Sequence, residues 1–224
     1  MRGTTIAGVT MALGLVAPPA AAVVIGGTEG DDTLTGTADA DIIRARGGDD
    51  VVDGRAGRDR LYGGAGADVL RGGREGDVGD GGAGRDTVRA GGGADLLFGA
   101  WGADLLVGGA GRDVLSGGLG DDLLRAGVGD DSLTDGIITE LSDEPGDDVL
   151  RAGRGADFLG VTGGADRVFA GEGDDEIKTI DDGRTDYLDC GDGVDRVTYY
   201  AVDGVGGRDP LDVLVGCERV AEEG

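Results

Sequence analysis

An aspartate recurs every nine residues along most of this 224-residue chain, and that spacing leaves few folds open. The interval holds from Asp32 to Asp131 through twelve consecutive units, which begin at residues 27, 36, 45, 54, 63, 72, 81, 90, 99, 108, 117 and 126. Four more units cover residues 143–178, and two looser ones begin at Asp181 and Cys190, so eighteen units carry Asp at their sixth position. An aliphatic residue follows two positions later in seventeen of them, the exception being Gly79. The cleanest copies are Gly63–Arg71 (GGAGADVLR), Gly81–Arg89 (GGAGRDTVR), Gly108–Ser116 (GGAGRDVLS) and Gly117–Arg125 (GGLGDDLLR), all of the form GGxGxDxUx with U a large aliphatic. Short repeats of this period build parallel β-helices, in which each unit is too small to bury its own apolar side chain and the stack supplies the core.

Each residue type has a physical reason for its place. Glycines at positions one, two and four permit backbone angles that a Cβ forbids, so the first six residues can curl and bring carbonyl oxygens toward one point. The aspartate adds charged oxygens there. Calcium is a hard cation that takes six to eight oxygen ligands, and a carbonyl-lined turn with carboxylates supplies that set. Positions seven to nine then form a short strand, with position eight inward and seven and nine outward. A disordered acidic, glycine-rich segment would have no use for an aliphatic residue at fixed phase.

The motif resembles the RTX, or haemolysin-type, calcium-binding repeat, and the likeness covers about residues 27–198. That resemblance implies an all-β fold: a parallel β-roll, or β-helix solenoid, of stacked nonapeptides with several bound Ca2+ ions. Two nonapeptides would make one coil, and each ion would lie between turns one coil apart. Asp32, Asp50, Asp68, Asp86, Asp104 and Asp122 would then line one column, and Asp41, Asp59, Asp95, Asp113 and Asp131 the other, with Asp77. Six coils at about 4.8 Å would stand about 29 Å tall, and five gaps per column would hold at most about ten ions. Asp148, Asp157, Asp166 and Asp175 are expected ligands from the later units, with no column assigned to them. Backbone carbonyls of the best copies would complete the shells: Gly63, Gly64, Gly66, Gly81, Gly82, Gly84, Gly108, Gly109, Gly111, Gly117, Gly118 and Gly120. The units at 36, 72 and 181 depart at position four (Asp39, Glu75, Arg184) or eight (Gly79), and Asp77, Asp186 and Asp195 are left out of the ligand set.

Composition makes the fold conditional on the ion. The chain has 45 acidic and 20 basic residues, a formal charge of −25 that opposes compaction. One inward aliphatic per unit contributes about 1.5–3 kcal/mol, while ordering nine residues of backbone costs about 1–2 kcal/mol each. Burial alone is insufficient, so folding and cation binding are expected to be one event.

The chain divides into a leader (1–22), a calcium-binding roll of twelve uninterrupted repeats (23–134), an insertion loop (135–142), further repeats (143–198) and a C-terminal cap (199–224). Arg2, an apolar run from Ile6 to Ala17 and Ala20-Ala21-Ala22 read as a secretory signal peptide cleaved after Ala22, which makes the product secreted and extracellular, with no membrane span after leader cleavage. Many RTX proteins instead leave by an uncleaved C-terminal signal, so this leader departs from the family. In an oxidising space Cys190 and Cys217 favour a disulfide over two free thiols. The insertion is either a looped-out segment or a protrusion for a partner.

Outward positions raise two further readings. Leu96 with Val114, and Leu105 with Leu123, share faces near Phe98 and Trp101, either as cross-strand packing or as a docking patch. Arg71, Arg89 and Arg125 recur at position nine, interrupted by Val107, and nearby aspartates are expected to neutralise them. So acidic a chain is not a nucleic-acid binder. It contains no His, and no GxSxG or phosphate-binding loop, and the repeats leave no room for a catalytic domain. The expected function is a secreted calcium-ion-binding repeat protein with a structural or surface role, the alternative being an adhesin or a module binding a cell-wall, matrix or surface polymer.

Overall fold

The computed structural model describes residues 22–136, 146–180, 183–200 and 212–223. The expected leader, apart from Ala22, and most of the expected insertion loop lie outside the described residues.

In most units the strand is longer than the three residues expected, although Thr33–Thr35, Val51–Asp53, Ser132–Thr134 and Phe158–Gly160 keep to three. It begins after the aspartate and runs on through the first three positions of the next unit, as in Arg60–Ala65, Leu105–Ala110 and Val149–Arg154. Side chains alternate along such a strand, so two positions face inward: the aliphatic at position eight and the small residue at position one. Leu106, Leu115, Leu124 and Leu150 are fully buried, and where position one is alanine its methyl joins them, as at Ala45, Ala126, Ala152 and Ala170. The core therefore has two rows per column rather than one. The exceptional Gly79 leaves no hole, because a Cβ there would lie 2.6 Å from Val88 Cγ1 and 3.3 Å from Leu97 Cδ2.

Among the described residues these strands stack into two parallel sheets of eleven and ten strands, alternate strands joining opposite sheets. Partners lie eighteen residues apart through the uninterrupted run, as in Val69↔Thr87 and Leu105↔Leu123. Among the described residues there is no helix, and none long and apolar enough to cross a membrane. The fold is the parallel β-roll expected.

Both interruptions are absorbed without a change of sheet. Leu123 pairs with Val149 and Ser132 with Phe158 across the first, and Arg167 with Tyr187 across the second. Asp148, Asp166 and Asp186 thus continue the column of Asp122, and Asp157, Asp175 and Asp195 that of Asp131.

The described strands of the tail extend the roll. Val213–Val215 pairs with the strand at Tyr187, and Arg219–Glu223 with the strand at Arg196. Asp212 and Glu218 stand at the aspartate position: Asp212 Oδ1 accepts the Asp186 N–H at 2.9 Å and Glu218 Oε2 the Asp195 N–H at 2.9 Å. Only Gly216 and Cys217 separate the strand ending at Val215 from Glu218, and the longer side chain spans what the shortened turn removed. Cys190, buried at position one, is bonded to Cys217 with a Cα–Cα distance of 5.2 Å, tying the last coil to its predecessor.

On the outside, Leu96 and Val114 are register partners, as are Leu105 and Leu123, and Trp101 is 62% exposed. Arg71 and Arg89 stand side by side, and Arg125 beside Arg151. The expected neutralisation is not seen: among the described residues no ion pair engages Arg71, Arg89 or Arg125, and Arg151 lies over the Phe169 ring at 4.2 Å instead.

Candidate metal centre

Through the body of the roll each turn places its aspartate in the same way. The main-chain carbonyl continues the ladder, accepting the N–H of the residue after the next coil's aspartate, as from Val69 to Asp50 at 2.8 Å and from Leu105 to Asp86 at 2.9 Å. One carboxylate oxygen is also fixed. Asp104 Oδ1 accepts the Asp86 N–H at 2.7 Å, and Asp122 Oδ1 accepts the Asp104 N–H at 2.8 Å. The other column repeats this from Asp59 to Asp77 at 2.8 Å and from Asp77 to Asp95 at 2.7 Å.

The second oxygen is left over. Oδ2 of Asp50, Asp59, Asp68, Asp77, Asp86, Asp95, Asp104, Asp113, Asp122, Asp131, Asp148, Asp157, Asp166 and Asp175 is buried and no donor reaches it. A buried, unpaired carboxylate is expensive to ionise. Burial first, then neighbouring carboxylates of the stack, pushes Asp86 and Asp122 up to about 7, Asp148 to about 8 and Asp166 to about 9. A second strand of anionic oxygens without donors, stacked in two columns, calls for cations between the coils.

The glycines divide into two kinds. Most of those at positions two and four have positive φ, as at Gly64 (115°), Gly66 (132°), Gly82 (104°), Gly84 (139°), Gly109 (122°), Gly111 (135°), Gly118 (110°) and Gly120 (113°). A Cβ on Gly82 or Gly84 would overlap the carbonyl oxygen of Gly64 or Gly66, one coil earlier, so these carbonyls point along the column. Position one, at Gly63, Gly81, Gly108 and Gly117, needs no positive φ. Its small size serves closeness instead, since a Cβ on Gly81 would lie 2.6 Å from Asp86 Oδ2, and one on Gly117 would lie 2.8 Å from the Asp135 carbonyl oxygen and also meet Asp122 Oδ2. The space such a Cβ would fill adjoins both the leftover carboxylate oxygen and a main-chain oxygen of the next coil, which is the donor chemistry calcium requires.

The family model of the RTX calcium-binding nonapeptide repeat, in four copies, matches residues 26–61, 47–78, 71–106, 98–133 and 142–177. This chain belongs to that family. The matched segments take in most of the roll, and RTX repeats bind Ca2+. No curated protein matches the chain.

Within this RTX roll the expected ligands are not all equivalent. Asp32 and Asp41, at the start of the two columns, have Thr at position two where most later units have Gly. Thr28 donates its N–H (2.6 Å) and hydroxyl (2.9 Å) to Asp32 Oδ2, and Thr37 does the same for Asp41 at 2.6 and 3.0 Å. Unlike the Oδ2 atoms of later turns, those of these two aspartates accept hydrogen bonds from the protein at the start of the columns. Conversely Asp77, set aside for its irregular unit, is placed like its neighbours, because the carboxylate geometry depends on the coils above and below rather than on Glu75 or Gly79. Asp186 and Asp195 likewise take the N–H of Asp166 and Asp175, each at 2.9 Å.

Two groups of residues escaped the sequence reading. Aspartates at position five accept the N–H one coil later, as from Asp49 to Asp31 at 2.9 Å and from Ala67 to Asp49 at 2.8 Å, at the exposed edge of the turn. Asp135 is the other. It occupies the inward position one after Thr134, and carrying the nine-residue frame one residue past the last unbroken unit would have marked it.

Proposed function

We propose that this RTX protein is secreted, folds when calcium binds, and works outside the cell as a rigid structural or surface module. The carrying observation is the double column of buried aspartate oxygens that no donor reaches. In each gap the carboxylates of successive coils, with carbonyls of the glycine turns, would hold the ion. Bound calcium supplies positive charge that offsets the mutual repulsion of the stacked carboxylates. The chain's own part is geometric: the Oδ1 hydrogen bond orients each carboxylate, the left-handed glycines aim the carbonyls, and the paired sheets exclude water. Without the ion the stacked charges favour the open chain, which suits export from calcium-poor cytosol to a calcium-rich exterior. The test has two arms: calcium-dependent gain of β structure by circular dichroism, and recovery of a mature chain beginning at Val23 from the culture medium. A cell-retained chain with its leader intact removes the secretion reading, and a spectrum indifferent to calcium removes the folding one.

A second reading, an adhesin or polymer-binding module, is favoured by the row of Arg71, Arg89, Arg125 and Arg151 on one sheet of an otherwise strongly acidic protein. Such a row matches the repeating charge of an anionic cell-wall or matrix polymer. Pull-down against cell-wall fractions in calcium, with Arg71→Ser/Arg89→Ser as the comparison, decides it: unchanged retention by the double variant removes this reading.

A further inference from the structure

In the uninterrupted turns the inward position one holds Gly, Ala, Val161 or Cys190, but the first interruption puts an aspartate there. Asp135 is fully buried. Its carbonyl accepts the Gly118 N–H at 2.6 Å, holding it in the coil above Asp122. Its carboxylate is oriented by donors that include Gly136 N–H to Oδ1 at 2.5 Å, Thr162 hydroxyl to Oδ1 at 3.1 Å and Thr162 N–H to Oδ2 at 2.5 Å, with the Gly163 main chain beside them. Thr162 stands at position two of its unit, where Thr28 and Thr37 donate to the aspartate of their own units. Here it donates to Asp135 instead, and Asp166 Oδ2 stays without a donor.

The result is a group unlike the repeat sites. Carboxylate oxygens of Asp135, Asp148 and Asp166 all lie within 4.8 Å of one another. Asp148 and Asp166 are each 1% exposed, and the Oδ2 of each is buried with no hydrogen-bond partner. No ion pair among the described residues involves any of the three. An ordinary gap in this column offers carboxylates from two successive coils, whereas this one adds a third anionic side chain from the core side. Three buried carboxylates in mutual reach have no means of ionising together except around a cation. Their all-oxygen set suits a hard divalent ion, and calcium affinity rises with the number of charged ligands and the rigidity of the site.

We propose that Asp135, Asp148 and Asp166 form a calcium site of their own kind, tighter than those of the uninterrupted repeats and filled first. By joining the coil before the interruption to the coils after it, this ion fastens the two runs of repeats into one stack. The proposal rests on the reading of the chain as a calcium-binding roll.

Calorimetric titration of the full chain with calcium tests it, comparing the wild type with Asp135→Asn and with Asp104→Asn as an ordinary gap. Asparagine keeps one oxygen for the Gly136 N–H and the Thr162 hydroxyl, and removes the charge together with the acceptor of the Thr162 N–H. The wild type should show one tight site ahead of a weaker class, and D135N should weaken that tight site by ~10-fold or more while leaving the weaker class in place. D104N should keep the tight site. A tight site that survives D135N, or is lost in D104N, or a wild type with a single affinity class, overturns the proposal. A wild type that binds no calcium overturns the underlying reading as well, a different outcome from uniform binding. Should D135N fail to reach the wild-type spectrum in saturating calcium, crystals of wild type soaked in less than one equivalent of terbium answer the question. Anomalous density among Asp135, Asp148 and Asp166 supports the site, and first density elsewhere overturns it.

Discussion

Gly118 and Ala100 stand in register on adjacent coils, both at position two and both with positive φ, at 110° and 77°. Exchanging their residue types, one at a time, measures how much the left-handed turns hold the roll together. Alanine near φ 77° lies in the left-handed helical region at a cost of about 1–2 kcal/mol. Replacing it by glycine removes that strain and adds about 0.4–1 kcal/mol of unfolded-state entropy. Ala100→Gly should therefore stabilise by about 0.5–1 kcal/mol. The reverse change is not symmetrical. At φ 110° Gly118 lies outside the left-handed helical well, so alanine there costs about 1–3 kcal/mol in backbone strain. Its Cβ would overlap the Ala100 carbonyl oxygen and sit 2.8 Å from the carbonyl carbon, in a stack whose coils are pinned by hydrogen bonds and cannot separate locally. Net of entropy, Gly118→Ala should destabilise by about 3 kcal/mol or more. At about 2–4 °C per kcal/mol for a chain of this size, that is a fall of about 6–12 °C in Tm, against a rise of about 1–4 °C for Ala100→Gly. Thermal melts in saturating calcium measure both. If Gly118→Ala melts within a degree of wild type, the left-handed turn geometry does not support the fold as argued.

Asp104→Asn keeps the acceptor for the Asp86 N–H but removes charge from the two gaps it borders, so the calcium concentration at half-folding should rise by about ten-fold; an unchanged midpoint by circular dichroism would mean that Asp104 is not a ligand. In the metal-free state the buried aspartates have folded-state pKa values raised by burial from 3.8 to about 6 at Asp59 and Asp113, 7 at Asp86 and Asp122 and 9 at Asp166. A raised carboxylate pKa means that folding takes up protons: the penalty is absent below 3.8, grows through that window and is complete above it. Chelated protein should therefore show more β structure near pH 4 than at pH 8, while calcium binds more weakly at the lower pH; equal spectra at both would contradict the burial of these carboxylates. The Cys190–Cys217 bond closes a segment with a sequence separation of 27, and its loss by Cys217→Ser should lower stability by about 3–4 kcal/mol in the loop-entropy account. Hydrogen exchange should place that loss in the final coils, and a uniform loss along the roll would argue against a local clasp.

A nine-residue phase fixes which side chain faces in, and the eighteen-residue register was legible through the resemblance to RTX repeats, which implies two units per coil. The second inward row at position one was not legible, since Gly and Ala there also suit a tight turn and the sequence does not separate the two uses. Asp32 and Asp41 look like every other aspartate in the repeat, and only the hydrogen bonds from Thr28 and Thr37 show that their second oxygens are occupied. The unit of Asp77 is irregular, yet its carboxylate accepts the Asp59 N–H and its own N–H meets Asp95 as in the regular turns. The tail hid its last two turns because Glu218 replaces aspartate and the turn before it is shortened, so the nine-residue frame fails where the stacking does not. Asp135 fell within a segment set aside as an insertion, although its first residue still occupies a place in the coil.

Far-ultraviolet circular dichroism of the purified chain through a calcium titration, followed by chelator, bears most directly on the claim that the stacked aspartates make folding and ion binding one event. The expected result is a cooperative rise of β signal with calcium that chelation reverses at neutral pH. A chain that shows its full β spectrum before calcium is added, and keeps it through titration and chelation, would contradict that claim.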